Sequence, residues 1–385
     1  MSSTLRCEQF VSDEICLVHC YHRCVRRAFL TGIDELTQKD YTHRREWIRQ
    51  RLESLASVFG IDVLQYAVLS NHLHVILRNR PDVVKTWSDV EVATRWLRLF
   101  PGTRILDVLA EPNEEDVRSA VANPEKIQEY RSRLSDISWF MRSLAEVIAR
   151  RANAEDECSG CFWDGRFKAK RLLDEAGLLA CAMYVDLNVL RANLAATIEL
   201  SMHTSVFDRI EAAKGAMIES SALDRIPLSR EESIARRTKM TLEEQKKARK
   251  QTGPRPLVPR DAWLAPLTLD PEVDAFDPQA STNGLRASNR GFLTMNLEDY
   301  VKLLQWTAKQ QDHPPGSVCP VPESLEPLFT GLGVEPSMWC DLVWNYTKYF
   351  GTSRCSGNPK AMIADAERTH KRWSRGQRQA AACFA

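Results

Sequence analysis

The chain contains 385 residues, of which 44% are hydrophobic and 27% charged, and its formal net charge is +1. This composition is typical of a globular protein, no run approaches the roughly 18 apolar residues of a membrane span, and the length predicts two or more domains. With so little net charge, any affinity for nucleic acid must come from local basic segments. The N-terminus lacks the pattern of a secretion signal and the eleven cysteines are an odd number, so we expect a cytoplasmic protein with reduced thiols.

The first part of the chain predicts a strand, a helix and a hairpin. Residues 14–21 form a short apolar run typical of a buried strand, and residues 37–59 carry apolar side chains at helical spacing that end at Gly60. Residues 63–69 and 73–77 are two further apolar runs, separated by the polar pair Ser70 and Asn71. That break predicts a tight turn between two antiparallel strands.

The next part predicts an insertion, a helix, a strand and a second helix. Residues 78–130 are polar and contain four prolines, so we expect an insertion with short helices around Trp96 and Val108. Residues 134–152 have the spacing of an amphipathic helix, and residues 162–170 read as a turn leading into a basic strand. Asp174 can cap the helix that follows. The order of elements predicts an α+β fold, a ferredoxin-like split βαβ antiparallel sheet with helices on one face.

Beyond residue 213 the sequence becomes charged and then proline-rich, before helical spacing returns. We therefore predict a first domain over residues 1–213, a linker over 214–295, and a small helical C-terminal domain over 296–385 that ends in a basic tail. Residues 225–260 contain eleven Lys or Arg against four Glu, and residues 368–378 contain five basic residues and no acid. Such segments either bind phosphates in a salt-dependent way or are only solvated charge.

Two pairs of polar residues carry the chemistry of this sequence. His72 and His74 are two apart on a predicted strand, so they share one face, while Tyr184 and Asn188 are four apart on a predicted helix and also share a face. If that helix crosses the strand, two imidazoles and an amide surround a cation beside a phenol. The cation would reduce the charge repulsion at a phosphodiester, and the phenol would attack the phosphorus.

Two motifs resemble a known family. Residues 68–74 (V-L-S-N-H-L-H) are similar to M-P-N-H-x-H, and residues 184–193 (Y-V-D-L-N-V-L-R-A-N) are similar to Y-I-x-x-N-P-V-R-A-G, with Val189 and Asn193 in place of the proline and the glycine. Residues 19–23 and 162–167 resemble the H-x-x-x-R strand and the W-x-x-R-F turn of the same family. These motifs are those of the REP-associated single-tyrosine transposases in the HUH endonuclease superfamily, and the resemblance covers roughly residues 14–210.

The resemblance implies a DNA transposition and recombination enzyme that nicks and joins single-stranded or hairpin DNA through a covalent 5′-phosphotyrosine. It implies Tyr184 as the nucleophile and His72, His74 and Asn188 as ligands of Mg²⁺ or Mn²⁺. The resemblance, together with the basic residues around these motifs, also implies contacts with DNA. The implied contacts are Arg23, Arg166, Lys168, Lys170 and Arg191. The protein would act as a monomer or homodimer at the nucleoid, with no membrane partner.

Alternatives remain open for several of these features. Trp87, Trp96, Trp163, Arg95 and Arg98 could stack on unpaired bases, or the tryptophans could belong to the core. Cys158 and Cys161 form a C-x-x-C without a second metal-binding pair. The whole protein could bind hairpin DNA or repress without cutting. A rolling-circle replication initiator is less favoured, because no phosphate-binding loop of a helicase is present in the sequence.

Overall fold

A computed structural model describes most of the chain. The described residues are 13–25, 30–34, 37–100, 110–112, 114–220, 226–227, 256–272, 278–312, 319–351 and 353–384. The predicted helix around Val108 and most of the basic segment 225–260 lie outside these ranges. Among the helices that the structure describes, none has the length and apolarity needed to cross a membrane.

A five-stranded sheet with the order β2-β3-β1-β5-β9 lies at the centre of the fold. Its strands are β1 (Leu17–Arg23), β2 (Ile61–Val68), β3 (His72–Asn79), β5 (Lys168–Leu172) and β9 (Cys355–Ser356). β1 pairs antiparallel with β3 and β5, and β2 pairs antiparallel with β3. Strands β1, β2, β3 and β5 therefore confirm the predicted split βαβ sheet. In that arrangement β1 and β2, which α1 connects, are separated by β3. β9 adds a short parallel edge that the sequence did not predict.

The β2–β3 hairpin forms where the sequence predicted it. Leu69 donates a backbone hydrogen bond to the carbonyl of His72, which closes the turn between the strands. Every residue of β2 is buried, because both faces of the sheet are covered. On β3 the side chains of Leu73, Val75 and Leu77 point to one core layer and Ile76 to the other, as a period of two requires.

The first face of the sheet is covered by α1 (Arg44–Ala56) and α6 (Ile137–Glu155). Both helices send apolar side chains, such as Leu52 and Leu144, into the core layer below that face. The predicted helix 37–59 is shorter in the structure, because its first residues form a turn in which Thr42 donates a backbone hydrogen bond to Asp40. α6 begins at Asp136, whose carboxylate accepts from the backbone N–H of Ser138.

Most of the described part of the predicted insertion 78–130 is helical, with more helices than the two expected around Trp96 and Val108. It contains α2 (Pro81–Thr86), α3 (Asp89–Leu99), the two-residue strand β4 (Ala110–Glu111), α4 (Glu114–Val121) and α5 (Pro124–Leu134). The helix predicted around Trp96 is confirmed as α3. Two of the four prolines lie in the first turn of α2 and α5, where a missing N–H costs nothing, so they start helices instead of interrupting them.

The second face of the sheet is covered by α7 (Glu175–Arg191), which carries Tyr184, and by helices from the C-terminal part of the chain. As predicted, Asp174 caps α7 by accepting from the backbone N–H of Gly177 at 2.7 Å. At Gly177 the backbone of β9 approaches so closely that an added Cβ would lie 2.8 Å from the carbonyl oxygen of Ser356. The short strand β9 therefore packs directly on the first turn of α7.

The remaining elements follow α7 in the chain. They are α8 (Ser205–Ala213), β6 (Met217–Glu219), β7 (Ile226–Pro227), β8 (Leu257–Pro259), α9 (Leu297–Lys309), α10 (Glu326–Leu332), α11 (Pro336–Trp344), α12 (Tyr346–Phe350), α13 (Pro359–Arg368) and α14 (Gln377–Cys383). β6 pairs antiparallel with β8, and β7 pairs parallel with β4.

Parts of the predicted linker 214–295 pack tightly on the sheet. Trp263 and Leu264 are buried in the same core layer as α1 and α6. The carboxylate of Asp62 on β2 accepts hydrogen bonds from Arg78 and from the backbone N–H of Ser288, which holds the stretch after residue 278 in place. The described residues of the predicted linker are therefore folded against the sheet and do not form a flexible linker. The domain boundaries themselves stay a prediction.

Candidate active site

Pairing between β1 and β3 places several polar side chains on the sheet face below α7. Tyr21 is paired with His74 and Arg23 with His72, so these four side chains point the same way. The ring centroids of His72 and His74 lie 4.8 Å apart. The sharing of one face by the two histidines is thus observed.

His74 lies at the centre of this cluster and is buried. Its Nδ1 is 2.9 Å from Nε2 of His19, and its Nε2 is 3.0 Å from Nδ2 of Asn188. If the Asn188 amide donates to Nε2, then Nδ1 carries the proton and donates to His19. Burial lowers the pKa of His74 well below its usual value, and the neighbouring His19 and His72 lower it further. His74 is therefore a neutral imidazole whose ring is held on both sides.

Tyr184 approaches this cluster from α7. Its ring lies edge-on to His74 with a centroid distance of 5.5 Å. Burial raises the pKa of Tyr184, while a hydrogen bond from Asn188 and the charge of Arg191 act in the opposite direction. The helix therefore brings together the four side chains that the sequence singled out, His72, His74, Tyr184 and Asn188.

The surroundings of Tyr184 differ from the prediction in one respect. Met183, Leu187 and Leu190 form an apolar stripe on α7, and Tyr184 and Asn188 lie on a different, polar one, so the sequence pattern predicts a phenol directed away from the helix's packing surface. Instead Tyr184 is only 7% exposed, because Tyr346 of α12 stacks on its ring at a centroid distance of 4.9 Å. The C-terminal helices cover α7 on this side. The polar stripe with Tyr184 is therefore a second packing surface of α7, in contact with α12.

A pocket of about 440 Å³ opens beside the two histidines. Its walls come from β1, β3, α7 and the turn before β5, and the lining residues are Tyr21, His22, Arg23, Asn71, His72, His74, Asp164, Arg166, Lys168 and Tyr184. Three of these side chains are cationic and one is anionic. The pocket is therefore suited to an anion such as a phosphate.

The five predicted DNA contacts do not all reach this pocket. Arg23, Arg166 and Lys168 line it and are exposed. Arg191 is exposed at the end of α7, where it donates to the carbonyl of Trp344, and its charge helps to lower the pKa of His72. Lys170 is a correction, since its side chain is 5% exposed and donates to the carbonyl of Phe350. Burial lowers the pKa of Lys170 to about 8, and the C-terminal helices separate it from the pocket.

The predicted stacking residues also have partners inside the protein. Trp87, Trp96 and Trp163 are buried. The ring of Trp163 stacks on His22 at 4.2 Å and its Nε1 donates to the carbonyl of Ala145, while Arg95 covers Trp87. For these tryptophans the core alternative is the one observed.

The residues of the cluster fit a divalent cation only if Asn188 supplies an oxygen. Within the described ranges, no group of three or more His, Cys, Asp or Glu side chains is arranged to hold a metal ion. The predicted set has two imidazoles and an amide, and a half-turn of the amide exchanges its nitrogen for its oxygen. Burial lowers the pKa of His72 to about 4, so both imidazoles are neutral, as metal ligands must be. The hydrogen bond that His74 Nδ1 donates to His19 orients His74 in the way that outer-shell partners orient metal-binding histidines.

Three residues of the site were not in the predicted set. His19, Tyr21 and Arg23 are two apart on β1 and so share one face of the strand. This spacing was the sequence signal that could have indicated His19 and Tyr21 as site residues. The structure places His19 behind His74, and it places Tyr21 beside His74 with Lys168 over its ring. Tyr346 had no local signal, because its partner Tyr184 belongs to a distant segment.

Comparisons with known proteins give a distant likeness. No model of a protein family matches the chain, and no curated protein matches it. A solved structure of a REP-associated tyrosine transposase bound to a REP hairpin is similar at a TM-score of 0.32 and 13% sequence identity. That match covers 56% of this chain and 87% of the other. The functional conclusion therefore depends on the residues of the site itself.

Proposed function

We propose that this protein is a metal-dependent endonuclease and strand transferase for single-stranded or hairpin DNA, with Tyr184 as its nucleophile. One observation carries the proposal. The phenol of Tyr184 and the imidazoles of His72 and His74 line one pocket with three cationic side chains, and the amide of Asn188 lies 3.0 Å from Nε2 of His74. Phosphodiester transfer needs a nucleophile, charge neutralisation and positioning at one place, and this combination can supply all three.

The residues divide the reaction between them. Arg23, Arg166 and Lys168 bind phosphates of the substrate and hold the scissile bond near Tyr184. The Tyr184 oxygen forms a bond to phosphorus, the bond from phosphorus to the 3′ oxygen breaks, and the freed 3′ hydroxyl gains a proton as the phenol loses one. Because the ester is retained as phosphotyrosine, a hydroxyl can reverse the step and join a strand without ATP. Mg²⁺ or Mn²⁺ held by His72, His74 and Asn188 would neutralise charge on a non-bridging oxygen.

A second function, binding of hairpin DNA without cleavage, is favoured by the burial of the nucleophile. Tyr184 is covered by Tyr346, and burial raises the pKa of its hydroxyl. A phenol in that state attacks only if the substrate or the cation displaces its surroundings. The binding function predicts salt-dependent affinity for hairpins and no covalent product with either metal.

A covalent-adduct assay separates the two functions. The protein is incubated with a labelled hairpin carrying single-stranded flanks, in Mn²⁺, in Mg²⁺ or in EDTA, and the products are separated on a denaturing gel. We expect a labelled protein band with a divalent ion and none in EDTA. If the hairpin binds but no covalent band forms with either metal, the proposed cleavage is overturned and binding without cleavage is the function supported.

His19 provides a test of the metal site that does not depend on DNA. In His19→Ala the ring of His74 loses the partner of its Nδ1. Because outer-shell partners orient the ligand, we expect the affinity for Mn²⁺ to fall by roughly 10- to 100-fold in calorimetric titration. The control is His43→Ala, whose histidine pairs with Glu155 on the other side of the sheet and should leave Mn²⁺ binding unchanged. Equal affinity in His19→Ala and the unmodified protein would contradict this role.

A further inference from the structure

The loop between α13 and α14, residues 371–375, presents an exposed tryptophan among basic side chains, and we name it the Trp373 loop. Trp373 is 62% exposed, and it is the one aromatic residue among the large hydrophobic side chains that are exposed in the described part of the chain. The other nine tryptophans are buried or half-buried. Exposure of one indole therefore needs an explanation beyond ordinary surface composition.

The conformation of the Trp373 loop is fixed at both ends. His370, with φ of 54°, ends α13, and the backbone N–H of Lys371 donates to the carbonyl of Ala366 at 2.8 Å, as in a Schellman motif. Gly376, with φ of 88°, begins α14 and approaches Ser353 so closely that an added Cβ would lie 3.2 Å from the Ser353 Cβ. The loop is thus built to hold Trp373 outward, rather than to let it collapse onto the surface.

The charge around Trp373 is unbalanced. No acidic residue occurs from residue 368 to 378. Arg368 pairs with Glu14 and Asp365, but within the described residues Lys371, Arg372, Arg375 and Arg378 form no ion pair. Elsewhere arginines stack on tryptophans, as Arg133 does on Trp139 and Arg151 on Trp47. No described cation or ring covers Trp373, so most of its indole surface is open to a ligand.

We infer that the Trp373 loop is a second nucleic-acid contact, where Trp373 stacks on an unpaired base and the surrounding cations neutralise flanking phosphates. An aromatic face beside a basic groove is how single strands are bound without sequence preference. This inference rests on the proposed function, which supplies the class of substrate.

The position of the loop fits a strand that continues from the pocket. Lys168, which lines the pocket, and Arg171, which pairs with Cys355 of β9, are separated by roughly 10 Å along β5. Since Gly376 lies against Ser353 just before β9, the loop stands at that edge of the sheet. The pocket and the loop therefore both adjoin the β5–β9 edge of the sheet, and the inferred contact requires a bound strand to cross that edge.

A membrane surface is the less favoured occupant of this loop. Binding in the interface of a bilayer needs an apolar face of several residues. Trp373 is the one apolar side chain between residues 369 and 378, and the loop is not helical. The loop therefore has several cations and one apolar side chain, a composition that suits a nucleic acid better than a bilayer.

The test is a binding titration with the full chain and a fluorescent oligothymidylate of about 20 nucleotides, in EDTA so that no cleavage occurs. We expect Trp373→Ala to weaken binding roughly 5- to 150-fold and Trp373→Phe to restore most of it, because phenylalanine still stacks. Neutralising two phosphate contacts in the double variant Arg372→Gln, Arg375→Gln should make the slope of log affinity against log salt shallower by about 1.4. The matched control is the double variant Arg142→Gln, Arg150→Gln, which removes two exposed cations of α6 and should keep the original slope.

The outcomes are separable from those of the cleavage assay. Affinity in Trp373→Ala within about twofold of the unmodified protein would overturn the inference. So would loss of binding to phosphatidylserine vesicles in Trp373→Ala with oligothymidylate binding unchanged, which would assign the loop to membranes. If the oligonucleotide affinity falls as expected but no protein forms a covalent adduct, the inference stands and the proposed cleavage fails.

Discussion

Replacing Tyr184 with phenylalanine should abolish the covalent protein–DNA band while leaving the fold intact. The substitution removes the nucleophilic oxygen but keeps the ring that stacks on Tyr346 and lies edge-on to His74. Without that oxygen no ester to the protein can form, so the yield should fall below detection rather than by a modest factor. Hairpin affinity should weaken by no more than about tenfold, since at most one hydrogen bond of about 0.5–1.5 kcal/mol is lost.

The measurement combines the denaturing gel with peptide mapping of the adduct by mass spectrometry. Tyr130→Phe is a suitable control, because Tyr130 lies on α5 and its ring stacks on Trp96, apart from the pocket. Its adduct yield should equal that of the unmodified protein. Tyr21 is the informative alternative, because it lines the same pocket and is paired with His74. An adduct that persists in Tyr184→Phe and maps to Tyr21 would show that the nucleophile is on β1 and not on α7.

Replacing Asp62 with asparagine should cause the largest loss of stability among single polar substitutions in the sheet. Asp62 is fully buried and accepts from Arg78 at 2.8 and 2.9 Å, and Arg80 lies 3.4 Å away. Both arginines are buried too, so neutralising the carboxylate leaves Arg78 without its counter-charge and Arg80 with that of Asp82 alone. Breaking a buried ion pair in this way typically costs about 3–5 kcal/mol.

The same substitution should also release residues 278–291. Arg78 donates to the carbonyls of Arg290 and Gly291, and Arg80 donates to that of Pro278, so the two guanidinium groups attach this stretch to the sheet. Denaturant midpoints followed by tryptophan fluorescence measure the first effect, and early trypsin cleavage at Arg286 or Arg290 measures the second. Glu298→Gln, which removes an exposed pair with Lys302, should change neither. An unchanged midpoint and digestion pattern in Asp62→Asn would refute the role of this network.

The predicted features that the structure confirms are those that local periodicity encodes. The alternation around His72 and His74, the cap at Asp174 and the hairpin at residues 69–71 each depend on neighbours within a few residues. Such patterns determine which face of an element is apolar and where it starts. They were sufficient to predict the sheet, whereas the placement of Tyr184 and Asn188 next to the histidines was conditional on the helix crossing the strand and was implied by the family resemblance.

The features that the sequence did not reveal depend on contacts between distant segments. Lys170 alternates with Lys168 on β5, yet only Lys168 reaches the pocket, because Phe350 and its helix cover the other. The prolines and the missing periodicity of residues 78–130 predicted an insertion with two short helices, around Trp96 and Val108, although a proline in the first turn of a helix is favourable, as at Pro124. Trp263 lies in a stretch without periodicity but is buried against the sheet. In each case periodicity predicts which face of a helix or strand is apolar, but it does not predict which distant segment packs on that face.

The stacking of Tyr346 on Tyr184 has a consequence for the order in which the molecule is assembled. During synthesis the N-terminal segments leave the ribosome first, so the sheet and α7 can form while the wall contributed by α12 is still missing. Until then the phenol beside His74 stays open to water on that flank. The cluster around His74 is consequently finished late, by a portion of the polypeptide that contributes none of the predicted ligands.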